Sequence, residues 1–199
     1  MILIEKLKQQ LEFLKIADEL KNVQRQTLLA NKSRHENVAE HSWHIALMAM
    51  TLFEHIGIDG VDLCRVLKMI MVHDLVEIYA GDVPAFSETS SDTKEELERQ
   101  AADKIFSLLP DEQAIEYRGL WEEFDKMETS DAIYAAAVDR FQPFLANHLT
   151  EGHSWVKYNV TATQVYQRIS PAKIALPKLW SFIESIVEEA VNMGYIKAE

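Results

Sequence analysis

Apolar residues recur along most of this chain at intervals of three and four, the spacing that places side chains on one face of an α-helix. The first run is interspersed with lysines and glutamates and consists of Leu3, Leu7, Leu11 and Leu14. It predicts an amphipathic helix over residues 2–20. The pattern fades over residues 21–35, where we expect a loop.

The second predicted helix covers residues 38–56. Asn37 is a suitable N-cap, and Glu40 follows it at the spacing of a capping box. A third helix is predicted to begin near Asp62 and to end at Gly81, because glycine commonly terminates a helix at its carboxyl end. A loop that starts with Asp82 is expected to follow it.

The second half of the chain also carries the helical spacing. It predicts helices over residues 94–109, 112–126, from about 130 through Pro143, 161–169 and 172–193. Residues 148–158 are expected to form a connection, and we find no convincing strand and no internal repeat. With 199 residues, the chain is predicted to be a single-domain, all-α helical bundle.

The charge of the chain limits its partners. A formal net charge of -12 argues against binding to a nucleic-acid polymer or to an anionic membrane surface, although a small basic pocket can still hold one phosphate. No apolar run reaches membrane-spanning length, and we predict no signal peptide. The single cysteine, Cys64, excludes an internal disulfide, so a cytoplasmic location is expected.

The third predicted helix changes character along one face. At about 100° per residue, Glu77 lies roughly 40° and Asp74 about 100° around the helix from His73, so the three project into one arc. Apolar side chains occupy the same arc one and two turns earlier. Because buried charge is costly unless it is paired or bound to a metal, this arc is the first place to expect chemistry.

Two further ligands for a cation can come from other helices. His41 lies in the first turn of its helix, where the positive end of the helix dipole favours the neutral imidazole that metals bind. His44 lies on nearly the same face, and the spacing alone does not choose between the two. Asp139 shares a helix face with small side chains that allow another helix to approach, at Ala132, Ala135 and Ala136.

Each candidate also has a purely structural interpretation. Histidines on helices are more often hydrogen-bonded structural residues than ligands, and this applies to His35, His44, His55, His148 and His153. Glu77 can be a surface residue, and Asp82 can be a turn residue after the helix end. The adjacent His73–Asp74 pair fits this interpretation least well, because it lies inside an apolar helix.

Three segments of the sequence resemble a known family. They are Arg34-His-Glu36-Asn37-Val-Ala-Glu40-His41-Ser, Val72-His73-Asp74-Leu-Val-Glu77-Ile-Tyr-Ala-Gly81-Asp82 and Ala137-Val-Asp139. Their order resembles that of the HD-domain metal-dependent phosphohydrolases, and within them the 5'-deoxynucleotidase (YfbR-type) group. The resemblance covers roughly residues 5–150. It implies one HD-type domain over 1–199, with a metal-site core over about 36–145 and a helical carboxyl-terminal extension over about 155–199.

The resemblance also implies roles for individual residues. The metal ligands would be His41, His73, Asp74 and Asp139, which selects His41 over His44. Glu77 and Asp82 would position the attacking water and assist the leaving group. An arginine in the amino-terminal loop would hold the phosphate, with Arg25 as the best match and Arg34 as a second candidate. The family commonly has a tryptophan soon after this arginine, where this chain has Gln26-Thr27-Leu28.

Together these residues predict a metal-dependent phosphohydrolase that acts on nucleoside, and by resemblance deoxynucleoside, 5'-monophosphates. A bound divalent cation polarises a phosphoryl oxygen and lowers the pKa of its water. Mn, Co, Fe, Ni, Zn and Mg all remain candidates for this cation. The alternatives are a hydrolase of cyclic nucleotides or nucleoside polyphosphates, and a non-catalytic helical interaction module with a structural metal. A homo-oligomer, in the simplest case a dimer, is expected because terminal amphipathic helices can pair between chains.

Overall fold

The fold is a bundle of helices with one short hairpin. The computed structural model describes residues 2–83, 86 and 91–199. In the first half of the chain the helices are α1 (Ile2–Ala17), α2 (Val38–Thr51), α3 (Leu63–Val72) and α4 (Glu77–Ala80). In the second half they are α5 (Ser91–Phe106), α6 (Asp111–Lys126), α7 (Ser130–Leu149), α8 (His153–Lys157), α9 (Ala162–Ala175) and α10 (Trp180–Asn192). Short 3-10 helices cover Asp18–Asn22, Phe53–His55 and Pro177–Leu179.

Helix α7 is the longest described helix, and it packs against α2, α3, α6 and α9. The alanines that share a face with Asp139 are fully or almost fully buried, at Ala132, Ala135 and Ala136. Their small side chains allow neighbouring helices to approach closely. Tyr134, also fully buried, donates a hydrogen bond of 2.6 Å to the carbonyl oxygen of Ala49 in α2. This packing places the amino-terminal half of α7 beside α2 and α3.

The prediction of a loop over residues 21–35 is wrong in part, because the chain forms strands β1 (Gln24–Leu28) and β2 (His35–Asn37) there. The strands pair antiparallel, with Gln24 opposite Asn37 and Leu28 opposite His35. Polar residues predominate in both strands, so the alternation of apolar and polar residues that marks a half-buried strand is missing. Backbone hydrogen bonds hold the hairpin, and they bring the start of β1 beside the start of α2.

The third predicted helix is interrupted. Helix α3 ends at Val72, a turn follows over 73–76, and α4 begins at Glu77. In this turn Leu75 N–H donates to the carbonyl of Val72, and Glu77 N–H to that of Asp74, so the hydrogen bonds span three residues instead of four. Gly81 ends α4 with a φ of 78°, in agreement with its predicted role.

The carboxyl-terminal third differs from the prediction in its boundaries. The expected connection over 148–158 contains α8, and α9 continues through Pro171 to Ala175. Leu176 follows the last residue of this helix, and its φ of -129° and ψ of 54° are not helical. A residue before proline disfavours the α conformation, and Pro177 follows here. Pro143 lies inside α7 without ending it, as predicted.

Buried apolar side chains from α1 to α10 belong to one hydrophobic core. The prediction of an all-α helical bundle is confirmed, with the small hairpin as its exception. In the described part of the chain, no helix combines the length and the apolar character that crossing a bilayer requires.

Candidate metal centre

Four side chains from three parts of the chain converge on one point. His41 comes from the first turn of α2, His73 and Asp74 from the turn after α3, and Asp139 from the middle of α7. His41 Nε2 lies 2.9 Å from Asp139 Oδ1 and 3.9 Å from Asp74 Oδ2. His73 Nε2 lies 3.1 Å from Asp74 Oδ2 and 3.7 Å from Asp139 Oδ1. Each side chain thus presents one ligand atom to a shared space.

Carbonyl oxygens orient both imidazoles. His41 Nδ1 lies 3.1 Å from the side-chain oxygen of Gln142, and His73 Nδ1 lies 2.7 Å from the backbone oxygen of Ile70. Because a carbonyl oxygen only accepts hydrogen bonds, each Nδ1 carries the proton and donates it. In its neutral form each imidazole therefore directs the Nε2 lone pair into the shared space, which is the tautomer that a metal requires.

The donor set fits a divalent cation. Nε2 of His73 and Oδ2 of Asp74 are buried, and although they lie 3.1 Å apart, neither atom has a hydrogen bond of suitable angle among the described residues, which is costly for the protein alone. Burial disfavours a charged His73, yet the carboxylates of Asp74 and Asp139 raise the pKa of its imidazole well above 6.5. The cluster therefore attracts positive charge. Two imidazole nitrogens and two carboxylate oxygens form a common ligand set for first-row divalent metals.

Two more carboxyl groups face the same space. Glu77 is the first residue of α4 and is 9% exposed, and its Oε2 has no hydrogen-bond partner in the described structure. Burial, followed by the nearby carboxylates of Asp74 and Asp82, raises the pKa of Glu77 from 4.5 to about 10. Burial likewise raises the pKa of Asp82. A cation bound beside Glu77 acts in the opposite direction, because positive charge stabilises a carboxylate.

The hairpin delivers Arg25 to this cluster. From β1, the Arg25 guanidinium lies 3.2 Å from Glu36, 3.5 Å from Asp74 and 3.9 Å from Asp82. Glu36 is a buried residue of β2. The hairpin therefore places Arg25, which the resemblance predicts as a phosphate ligand, within reach of the metal cluster.

Arg34 lies elsewhere. It is exposed and forms a two-pronged ion pair with Glu40, with distances of 2.8 and 2.6 Å, and it also donates to the carbonyl oxygen of His35. The structure thus brings seven of the eight predicted site residues together, at Arg25, His41, His73, Asp74, Glu77, Asp82 and Asp139. Arg34 is not among them.

A cavity opens at this cluster, and we call it the metal cavity. Its walls include His73, Asp74, Glu77, Asp82 and Asp139, with the cationic side chains Arg25, Lys94, Arg140 and Arg168. A second depression, the side cleft, shares Arg25, Asp82, Arg140 and Arg168 with the metal cavity. Its other walls are mostly apolar and include Phe86, Phe144, Trp155, Tyr158, Val165 and Ile169.

Arg140 stands out among these cations. Its guanidinium donates to the sulfur of Met127 at 3.0 Å and to the carbonyl oxygen of Arg168 at 3.4 Å. Burial, followed by the positive charge of Arg168, lowers the pKa of Arg140 from its usual range to about 10. Among the described residues it forms no ion pair with a carboxylate.

Comparison with known proteins identifies the family. The model of the HD domain matches residues 17–180. This chain belongs to the HD domain family. A 5'-deoxynucleotidase of Dictyostelium discoideum is 34% identical over 141 residues, which are 68% of this HD domain protein and 74% of that relative. A 5'-deoxynucleotidase of Homo sapiens is 29% identical over 136 residues, or 68% and 65% of the two chains.

One solved structure agrees with this assignment. A predicted metal-dependent phosphohydrolase from Magnetospirillum magnetotacticum, whose crystal structure is known, is 44% identical in sequence to this HD domain protein. It matches with a TM-score of 0.91 and covers 96% of each chain. The resemblance read from the three sequence segments is thereby confirmed at the level of the family.

Some residues of this HD domain site are not evident from the sequence. Gln142 lies three residues after Asp139 and therefore on nearly the same face of α7, a spacing that offered a way to find it. Arg140 and Arg168 are 28 residues apart on different helices. Only the packing of α7 against α9 brings them together.

Proposed function

We propose that this protein is a metal-dependent phosphohydrolase that releases phosphate from nucleoside 5'-monophosphates, with deoxynucleotides as its substrates. The observation that carries this proposal is the convergence of His41, His73 and Asp139, with Asp74 beside the two histidines, next to a cavity that also contains Glu77, Asp82 and Arg25. The relatives named 5'-deoxynucleotidases support the choice of substrate.

One divalent ion would be held by His41, His73, Asp74 and Asp139. When bound, such an ion supplies Lewis acidity at a phosphoryl oxygen and lowers the pKa of a coordinated water. Mn, Co, Fe, Ni, Zn and Mg are all candidates for this ligand set, and metal analysis of the purified protein identifies the one it carries.

The proton-transfer roles fall to the two remaining carboxyl groups. Glu77 directs Oε2 into the metal cavity, and once a bound cation lowers its pKa, its carboxylate would accept the proton of the attacking water. Asp82 lines both the metal cavity and the side cleft, where it would assist the departure of the leaving 5' oxygen, and burial raises its pKa. Arg25 contacts the phosphate, whereas the exposed Arg34 remains paired with Glu40.

A nucleotide panel tests this function. The purified protein is loaded in turn with Mn²⁺, Co²⁺ and Mg²⁺ and assayed for phosphate release from deoxynucleoside and ribonucleoside monophosphates. We expect release from monophosphates and faster turnover of the deoxy forms. If metal is bound and no monophosphate releases phosphate, the proposal is wrong.

The same panel separates the alternatives. Cyclic nucleotides and nucleoside polyphosphates are included, and turnover confined to them reassigns the substrate. Replacing Glu77 with Ala should abolish turnover while the protein keeps its metal and its fold. A non-catalytic interaction module has no turnover to lose.

We also propose that the protein acts as a homodimer in the cytoplasm on a small-molecule nucleotide. Its net charge of -12 favours such a substrate over a nucleic-acid polymer or a membrane surface. The dimer rests on α1, where the outward face carries exposed leucines and the inward face carries several polar side chains. An apolar face of this kind is expected to be covered by a second copy of the chain.

A further inference from the structure

The cations that line the metal cavity differ in how far carboxylates neutralise them. Arg25 lies within 4 Å of three carboxylates, those of Glu36, Asp74 and Asp82. The carboxylates of the protein therefore largely neutralise the charge of Arg25, and its N–H groups are directed toward them. An incoming phosphate has to compete with these carboxylates for Arg25.

Arg140 and Arg168 are in the opposite situation. In the described part of the chain Arg140 has no carboxylate partner, and its two contacts are a sulfur and a backbone oxygen. The ion pair of Arg168 in the described structure is a long one, 3.9 Å from Oδ2 of Asp139. The two guanidinium groups line the same two spaces, and their like charges repel each other. An anion bound between them would remove this repulsion.

The position of this pair matches that of a substrate phosphate. Asp139 presents Oδ1 to the two histidines, while its other oxygen, Oδ2, is directed toward Arg168. Both arginines line the metal cavity and the side cleft, so they lie where the two spaces meet. A nucleoside monophosphate has the corresponding arrangement, with a charged group at one end and, at the other, an aromatic base whose faces stack on aromatic side chains.

We propose that Arg140 and Arg168 form an anion clamp that binds the phosphate of the substrate, on the side of the metal cavity bounded by α7 and α9. Guanidinium groups suit this task because they offer paired N–H donors to phosphate oxygens. The nucleoside then extends into the side cleft, along Phe144, Trp155 and Tyr158. This assignment deepens the proposed function and rests on it for the identity of the substrate.

The test uses the metal-loaded protein and the variants Arg140→Gln and Arg168→Gln. Loss of one charged hydrogen-bonding partner should lower kcat/KM for a deoxynucleoside monophosphate at least about tenfold, and raise the inhibition constant of inorganic phosphate by a similar factor. Arg168→Lys keeps the positive charge but not the paired N–H donors of the guanidinium. It should therefore recover part of the loss in kcat/KM and part of the loss in phosphate inhibition. Metal content is measured for each variant and should equal that of the wild type.

The matched control is Arg99→Gln, which removes an exposed arginine that pairs with Glu96 within α5. It should leave both constants unchanged. An active wild type whose Gln variants keep the phosphate inhibition constant within about twofold overturns the clamp, since one charged hydrogen bond contributes more than that.

Failure of the clamp is distinguishable from failure of the proposed function. If the metal-loaded wild type hydrolyses no monophosphate, calorimetry with inorganic phosphate still tests the arginines. If the wild type binds inorganic phosphate and both Gln variants do not, the clamp is supported and the phosphatase assignment is wrong. Equal binding by the wild type and the variants overturns the clamp.

Discussion

At the scale of single residues, the amide of Gln142 connects two parts of the proposed site. Its oxygen accepts a hydrogen bond from Nδ1 of His41, and its nitrogen donates to Glu36 at 3.0 Å. Glu36 in turn accepts from Arg25 at 3.2 Å. A side chain with one acceptor end and one donor end thus positions both a metal ligand and the arginine beside it.

Gln142→Leu is expected to weaken metal binding. The variant leaves Nδ1 of His41 without its acceptor, so neither the tautomer nor the ring orientation is held. Removing such a supporting hydrogen bond typically lowers metal affinity about 10- to 100-fold. A competitive metal titration measures the change. Gln100→Leu, on the exposed face of α5, should bind metal as the wild type does, and equal affinities of the two variants would contradict this role.

Glu77 is expected to make the metal-free protein less stable as pH rises. Its pKa is about 10 in the folded chain and near 4.5 when unfolded, so between these values the folded state binds the extra proton. The free energy of unfolding therefore falls with rising pH in that window, by at most about 1.4 kcal/mol per pH unit. Glu77→Gln removes this contribution.

Denaturant unfolding at several pH values between 5 and 9, with chelator present, compares the two proteins. The stability advantage of Glu77→Gln should grow with pH. If the difference in unfolding free energy between the two proteins is constant across this pH range, burial does not shift the pKa of Glu77.

At the scale of elements, the turn between α3 and α4 determines where the reactive groups point. The chain leaves α3 at Val72 and re-enters a helix at Glu77, so His73 and Asp74 sit on a tightened turn. Gly81 then ends α4 in a conformation, φ 78° and ψ 155°, that is almost exclusive to glycine. Asp82 follows directly, and its direction depends on this backbone.

Gly81→Ala is expected to cost stability and turnover. Space is not the obstacle, because an added Cβ meets no atom within 4 Å, so the cost is conformational. A non-glycine residue in this region costs about 1–3 kcal/mol, and relaxation of the turn should displace Asp82 and lower kcat. Denaturant unfolding and steady-state kinetics measure both effects.

Gly119→Ala is the matched control for this prediction. Gly119 lies inside α6 with open space around its Cα, and alanine there should stabilise the protein by about 0.5–1 kcal/mol without changing kcat. If Gly81→Ala has the stability and turnover of the wild type, the backbone conformation at Gly81 does not determine the position of Asp82.

Local chemistry explains which elements could be predicted from the sequence. The capping box of Asn37 and Glu40 and the terminating Gly81 act within a few residues, and both are present as expected. The break after Val72 is different, because apolar residues recur at helical spacing on both sides of it, at Val72, Leu75 and Val76, so the spacing predicts a continuous helix. The hairpin is likewise held by backbone hydrogen bonds, which leave no pattern in the side chains.

The same distinction applies to the candidate site. The pair His73–Asp74 is conspicuous because polar groups interrupt an apolar helix, and the resemblance supplied His41 and Asp139. Arg140 and Arg168 were not predicted, because their proximity arises from contacts between α7 and α9. Long-range contacts of this kind are a property of the folded chain and have no local signature.

At the scale of the whole molecule, α1 is oriented with its apolar stripe outward. The residues of this stripe are 52–79% exposed and comprise Leu3, Leu7, Leu11 and Leu14. The inward face contains Phe13, which packs edge-on against Tyr117, together with Gln10, which bonds to Gln113. An isolated chain would leave these leucines in water, which supports the proposed dimer.

The double variant Leu7→Glu/Leu11→Glu should therefore be a monomer. Two carboxylates within the stripe would have to be buried on association, which is unfavourable without partners. Light scattering coupled to size exclusion measures the mass. Lys8→Glu changes the net charge by the same two units at a neighbouring exposed position, and it should remain a dimer. A monomeric wild type would refute the assembly.

The alanine face of α7 implies an unusual pattern of mutational tolerance. Ala132, Ala135 and Ala136 carry no functional group, yet their size determines how near α7 approaches the helices that carry the other ligands. In a saturation mutagenesis screen scored by phosphate release, these positions should be nearly as restrictive as Asp139 itself. Serine and glycine should be the most accepted replacements, and each branched side chain should move the aspartate away from the histidines. The geometry of the metal ligands then depends partly on residues that contribute only their small size.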